Sequence, residues 1–288
     1  MQDYLYPLTF DPIYIEKIWA GNFLPNAPKN TGEVLTLSEN SLVSSGVLKG
    51  ERLADIIQEF PNEILGHNRR ELPILVKLIN AGENLSVQVH PHQKCSLHKP
   101  KSELWHILDS FDDSEVSIGF KNQSETEKLI QNAGDKSILE LMNKSKSNIG
   151  DNYYIPSGTV HYLGAGNLVL EIQQNSNSTF RLYDWDREAR PLQIEEALNS
   201  IKKGIIQNPL PDDHLMSDWA EISEKEGTHV LNSIDNSCFV ISAVSDLKVA
   251  YKDKVTLAKK GDSILIPYCI NGVEISGKKW LLTSINKN

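Results

Sequence analysis

Residues Gly150 to Arg181 read GDNYYIPSGTVHYLGAGNLVLEIQQNSNSTFR. Gly150, Pro156, Gly158 and His161 stand at the spacing G-x5-P-x-G-x2-H. A short β run, NYYIP (152–156), ends in a Pro/Gly turn, and the next strand opens on a histidine. That arrangement aims an imidazole into a small β-barrel, where it can hold a metal. A metal in a barrel mouth implies chemistry on a small molecule.

The stretch LSVQVH (85–90) lies upstream and alternates cleanly. Leu85, Val87 and Val89 share one face, and Ser86, Gln88 and His90 share the other. Gln88 and His90 therefore project side by side toward whatever the barrel encloses. Thirteen residues after His90, Glu103 opens ELWHIL (103–108) and can face the same cavity. With His161 these residues offer two imidazoles, a carboxylate and an amide oxygen. Such a mixed N/O set suits one Zn2+ per chain and tolerates other divalent ions. His92 makes a rival H-x-H pair with His90. Pro91 has no N–H for the ladder and is expected to end the strand, which favours the Gln88/His90 pair. His67, His98, His106, His214 and His229 have no comparable context.

Composition narrows the partners. A net charge of -9 argues against a nucleic-acid surface, although local Lys and Arg can still hold an anionic small molecule. The three cysteines, Cys95, Cys238 and Cys269, are odd in number and widely spaced, which points to neither a disulfide framework nor a zinc knuckle. MQDYLYPLTF does not read as a signal peptide, and no run of about 18 apolar residues predicts a membrane span. A cytoplasmic protein is expected, as a monomer or homodimer.

Short alternating runs dominate the chain. EVLTLSE (33–39), ILVKLI (74–79), LSVQVH, ELWHIL, EVSIGF (115–120), NYYIP and LVLEIQ (168–173) read as strands. Three segments read as helices: 51–66, broken by Pro61; 124–144, with Ser124 and Glu127 as a capping box; and 192–204, closing on lysines and a glycine. The spacing of Gly150 to Pro156 recurs in Gly261 to Pro267, GDSILIP. Cys269 then stands where Gly158 would be, and Gly272 where His161 would be. The fold expected is mainly β with helical insertions. A catalytic domain spans 1–220, a smaller β domain without a metal site spans 229–288, and the loop around 205–228 is the boundary.

The G-x5-P-x-G-x2-H pattern resembles the second motif of the cupin superfamily, which implies a jelly-roll barrel followed by a degenerate cupin-like domain. QVHPHQ, KSELW, PSGTVHYLG and EIQQNSNSTFRLYD together resemble the type I mannose-6-phosphate isomerases, most closely their short bacterial form. IWAGN (18–22), TGEV (31–34) and PLTFDPIYIEKIW support the match. The resemblance implies Gln88, His90, Glu103 and His161 as zinc ligands. It further implies Lys101 beside the metal, helping to bind substrate, and Arg181 stabilising charge during proton transfer. The chain departs from the family pattern at Asn177, where Asp is common, and at His92, where Asp or Asn is common.

The reaction implied is the interconversion of mannose 6-phosphate and fructose 6-phosphate, by proton transfer between neighbouring carbons of a sugar phosphate. A zinc-bound water, His92, Lys101 and Asp184 stand as candidates for the base. The alternatives are another cupin metalloenzyme acting on a different sugar phosphate, or a non-catalytic sugar-binding relative.

Overall fold

The computed structural model describes residues 5–66, 69–92, 98–122, 128, 132–202, 214–232 and 237–285. By contact the chain forms two units. One comprises Tyr14–Val34 and Leu78–Leu210, and is called the site unit below. The other comprises Met1–Ile13, Leu35–Lys77 and Pro211–Asn288, and is called the C-terminal unit. This differs from the expected split into 1–220 and 229–288. Strand pairing over long sequence distances is the reason. Leu8 and Thr9 pair with Leu265 and Ile264, and the Thr36 hydroxyl lies 2.7 Å from that of Ser263. The N–H groups of Tyr268 and Cys269 donate to the carbonyls of Ile64 and Glu63. No local reading of the sequence shows such contacts. Residues 205–213 of the expected boundary loop lie outside the described residues. Its remainder holds β13 (His214–Met216) and most of β14 (Ala220–Leu231).

The site unit is built on two sheets. The six-stranded one runs in the order β2 (Ile13–Glu16), β3 (Thr31–Leu37), β4 (Ile74–Ala81), β11 (Asn167–Gln174), β6 (Glu103–Ser110), β9 (Asn152–Ile155). The five-stranded one runs β12 (Phe180–Tyr183), β5 (Val87–Val89), β10 (His161–Leu163), β7 (Glu115–Phe120), β8 (Met142–Lys146). Trp105, Ile107, Tyr153 and Val169 of the first sheet meet Val116, Ile118 and Leu163 of the second in one buried cluster. The five-stranded sheet is apolar on its other face too. There Val87, Val89, Tyr162, Phe180 and Leu182 pack with Ile138, Leu141 and Ala197 of the short helices α3 (Ile138–Leu141) and α4 (Ile194–Ser200). Burial of each such side chain contributes about 1.5–3 kcal/mol. A sheet covered on both faces needs apolar residues on both, so strict alternation weakens in its sequence. Leu85 precedes β5 and packs between the sheets, apart from Val87 and Val89.

Every strand read from the sequence is present, and the helices are shorter than read. Pro61 disfavours helical dihedrals at Phe60 (φ -128, ψ 53), so 51–66 becomes α1 (Leu53–Glu59) and α2 (Pro61–Leu65). In 124–144 the capping-box residues lie outside the described residues, and Met142 to Lys144 extend into β8, where Met142 pairs with Phe120. The helix expected over 192–204 stops at Ser200, before its lysines. Lys202 there donates its N–H to the Gly158 carbonyl at 2.9 Å.

In the C-terminal unit an eight-stranded sheet follows the order β1 (Leu8–Thr9), β18 (Ser263–Ile266), β15 (Phe239–Ala243), β19 (Val273–Ile285), β14, β13. The hairpin β16 (Leu247–Tyr251)–β17 (Lys254–Ala258) is joined to β19. The repeat of Gly150 to Pro156 in Gly261 to Pro267 extends to geometry. Gly150 and Gly261 have φ +94 and +95, a left-handed conformation that favours glycine. Asp151 accepts the Asn148 N–H at 2.9 Å, as Asp262 accepts the Lys259 N–H at 2.7 Å. β9 pairs with β6 as β18 pairs with β15, which sets Glu103 against Phe239 in the repeat.

Candidate active site

Strand register assembles the site. His161 pairs with Gln88 on one side of β10 and with Ile118 on the other, while Arg181 pairs with Gln88 from β12. Directly opposed residues of antiparallel strands share a face. Arg181, Gln88 and His161 therefore form a row on the inner face of the five-stranded sheet. Glu103 comes from the facing sheet, between Gln173 and Ile155. The Pro/Gly turn is tied to the end of β5 by a hydrogen bond from Gly158 N–H to the His90 carbonyl, 2.9 Å. Gly158 has φ +88, and a Cβ there would lie 3.0 Å from the Ser200 carbonyl oxygen, so both dihedral and space call for glycine.

One ligand-capable atom from each of His90, Glu103 and His161 lies within 4.8 Å of the others, and all three residues are buried. His90 Nδ1 is 3.0 Å from the Ser178 carbonyl, and His161 Nδ1 is 2.9 Å from the Thr159 carbonyl. A carbonyl only accepts, so both Nδ1 atoms carry the proton in the neutral rings. Both Nε2 lone pairs are thereby aimed at Glu103. His90 Nε2 is 3.3 Å from Oε2, and His161 Nε2 is 3.3 Å from Oε1. Glu103 Oε1 is buried without a hydrogen bond. The His161 lone pair and the unpartnered Glu103 Oε1 face each other with no proton between them and repel unless a cation joins them, so the donor set fits a divalent metal. The Gln88 carboxamide reaches the group at 3.2 Å from His161 Nε2, and its oxygen and nitrogen exchange by a simple flip.

Lys101 is buried against the cluster. Its ammonium donates to Glu103 Oε2, lies 3.1 Å from His90 Nε2 and reaches Glu171 Oε1 at 3.3 Å. Glu171 also accepts the Trp105 indole N–H at 3.0 Å. The sequence reading missed Glu171. A carboxylate set mid-strand in LVLEIQ, amid apolar neighbours, was the available signal. Burial alone would raise the Glu103 carboxyl, but the Lys101 ammonium beside it holds it well below the usual carboxylate range. Burial and the Lys101 charge push His90 down from 6.5 to about 3.

These two shifts set the acid response of the metal-free protein. A histidine depressed when folded is protonated first in the unfolded chain, so its stabilisation is complete above pH 6.5 and is lost as pH falls toward about 3. Glu103 acts in the same direction at lower pH. Thermal melts of metal-free protein should fall steadily on acidification through this window. His90→Gln should flatten the upper part of the profile, and identical profiles would refute the assignment.

Arg181 is half-buried, with its backbone N–H and Nη1 directed to Gln193 Oε1 at 3.1 and 3.4 Å. Its Nε is buried without a hydrogen bond. Phe180 and Leu182 pack on the opposite face, as their alternation with Arg181 predicts. Strict alternation would put Tyr183 on the face of Arg181, but it joins Phe180 and Leu182 instead. A bulge between Arg181 and Tyr183 shifts the register and turns the ring over. Asp184 accepts hydrogen bonds from Arg190 at 2.8 Å and Arg187 at 3.3 Å, an engaged carboxylate poorly suited to act as a base. β5 ends at Val89, and His92 stands outside the His90–Glu103–His161 group. Asn177 lies in the turn between β11 and β12.

A mainly β fold with a buried, metal-capable His/Glu/His centre between its sheets belongs to the cupin class. Residues 25–121 match the family model of the phosphomannose isomerase type I catalytic domain. The chain is 34% identical to a probable mannose-6-phosphate isomerase, GmuF, of Bacillus subtilis, covering 87% of this chain and 80% of that one. It is 30% identical to the mannose-6-phosphate isomerase ManA of the same organism, covering 94% and 96%. The crystal structure of the Bacillus subtilis mannose 6-phosphate isomerase superposes with a TM-score of 0.85 at 28% identity, over 97% of this chain and 99% of that one. The chain belongs to the type I mannose-6-phosphate isomerase family and is an aldose–ketose isomerase. No helix among the described residues is long and apolar enough to cross a membrane.

Proposed function

We propose that Gln88, His90, Glu103 and His161 hold one zinc ion, and that this site interconverts mannose 6-phosphate and fructose 6-phosphate. The observation that carries the reading is the convergence of both Nε2 lone pairs on the buried Glu103 carboxylate. Bound there, zinc supplies Lewis-acid polarisation and a template for the sugar oxygens.

The chain's own residues do the rest. Isomerisation moves a proton between C1 and C2 of the open-chain sugar, leaving negative charge on oxygen in transit. Arg181 stands on the inner face beside Gln88 and supplies a permanent cation for that charge. Lys101, held between Glu103 and Glu171, supplies a second cation to the substrate oxygens. Glu171 and Trp105 fix the position of Lys101. The two facing sheets exclude water from the reacting carbons, which strengthens each of these interactions.

A coupled assay on mannose 6-phosphate, with the protein stripped by a chelator and then reloaded with zinc, tests this. Turnover should vanish with the metal and return with it. Undiminished turnover in stripped protein would overturn the metal reading, and a metal-loaded protein inert on the sugar phosphate would overturn the substrate. His92→Ala should keep its zinc, because β5 ends before Pro91. Metal loss equal to that of His90→Ala would restore the H-x-H pair as ligands.

A further inference from the structure

The C-terminal unit, which lacks the metal-binding residues of the repeat, carries a cavity of about 380 Å³. Hydroxyls of Thr9, Thr36, Ser44, Ser45 and Ser263 line it, together with the Asp262 carboxylate. They form two linked sets. Thr9 Oγ1 lies 2.6 Å from Ser44 Oγ and 3.1 Å from Ser45 Oγ, and Thr36 Oγ1 lies 2.7 Å from Ser263 Oγ. A hydroxyl donates once and accepts twice, so each set keeps hydrogen-bonding capacity to spare. Asp262 spends Oδ2 on the turn that the repeat dictates, and its Oδ1 makes no hydrogen bond among the described residues. Phe10 and Pro12 add flat apolar surface to the wall.

This is a wall for a ligand made of hydroxyls and C–H faces. Among the described residues, none of the side chains that line this first cavity is basic. The nearby Lys259 ammonium is paired with Asp246 at 2.8 Å. The one charge on the wall is the Asp262 carboxylate, which repels a phosphate. A second cavity of about 300 Å³ shares Ser45, Val255 and Thr256 with the first and adds the rings of Tyr6 and Tyr251. The one basic residue among its described lining, Lys254, holds its ammonium 5.9 Å from the centre of the Tyr6 ring as a cation–π partner. Adjoining polar and aromatic surfaces of this size match one or two sugar rings, with hydroxyls bonded on one side and a C–H face laid on an aromatic ring.

We propose that this cleft is a non-catalytic binding site for a neutral, unphosphorylated saccharide, separate from the metal-capable centre of the site unit. It stands whether or not the isomerase assignment holds. Side-chain hydroxyls act as both donors and acceptors toward the sugar, and Asp262 accepts from a vicinal diol.

Methyl α-D-mannopyranoside and methyl α-D-glucopyranoside are suitable probes, because a glycoside locked in its ring cannot be isomerised. Saturation-transfer NMR titration of the full chain should show saturable binding of at least one, with Kd on the order of millimolar. Ser45 is exposed and borders both cavities, so Ser45→Trp should abolish binding while leaving turnover of mannose 6-phosphate intact. Asp262→Asn should weaken binding by about tenfold, the scale of one charge-assisted hydrogen bond. His161→Ala, which dismantles the other site, should bind the glycoside as wild type does. The proposal is overturned by an absence of saturation up to roughly 50 mM, far above the affinity expected. It is equally overturned by binding that survives Ser45→Trp, by binding lost in His161→Ala, or by mannose 6-phosphate displacing the glycoside in that variant.

Discussion

His161→Ala is expected to remove metal and activity together, the largest effect of any single substitution in this chain. His161 is fully buried, its Nδ1 is fixed by the Thr159 carbonyl, and its Nε2 faces Glu103 Oε1 at 3.3 Å. Alanine leaves one imidazole, one carboxylate and one amide, too few for a centre that must keep a position open for substrate. Changes to residues that merely support metal ligands cost about 10–100-fold in affinity, so loss of a ligand should cost more than about 100-fold. Turnover should fall by at least about 10³ as the centre empties at ordinary metal concentrations. The fold should persist, because the surrounding cluster of Trp105, Ile118, Tyr153 and Leu163 is unchanged. Metal analysis after desalting, beside a thermal melt, checks both parts. Full metal occupancy in a folded variant would exclude His161 as a ligand.

The legibility of this site in the sequence has a physical basis. Residues two apart share a face as long as the strand stays regular, so Gln88 and His90 could be paired from LSVQVH alone. A proline and two glycines fix a turn locally, so the place of His161 was readable as well. What a sequence hides is long-range register. Glu171 meets Lys101 across 70 residues, and only the pairing of Glu171 with Trp105 shows that β11 turns it inward. The bulge after Arg181 was hidden for the same reason, since an unpaired extra residue is a property of two strands together. The division into units is the extreme case. Residues 1–13 and 35–77 join the C-terminal strands through pairings such as Leu8 with Leu265, more than 250 residues apart. Helix ends were misplaced where a tertiary bond intervened, as when Lys202 donates to Gly158 instead of continuing α4.

Arg181→Ala carries the second large expectation, and it separates metal binding from chemistry. Arg181 lies in the row with Gln88 and His161, yet its hydrogen bonds go to Gln193 and not to the His90–Glu103–His161 group that a metal needs. Its backbone N–H bond to Gln193 survives the substitution, and Phe180 and Leu182 continue to anchor β12 from the other face. Fold and metal content should therefore match the wild type. Burial and the nearby Arg190 lower the guanidinium pKa, while Asp184 opposes them, and an arginine so placed remains charged at neutral pH. A buried Nε without a hydrogen bond is an unsatisfied donor that an anionic partner would satisfy. If that partner is the charge developing during proton transfer, kcat should fall by roughly 10²–10³ with KM little changed. If it is instead the phosphate of the bound substrate, KM should rise with kcat nearly constant. We expect the first pattern, because register places Arg181 directly opposite Gln88, one of the proposed metal ligands. Steady-state kinetics on variant protein of verified metal content decide between them, and wild-type kinetics in that sample would remove Arg181 from the mechanism.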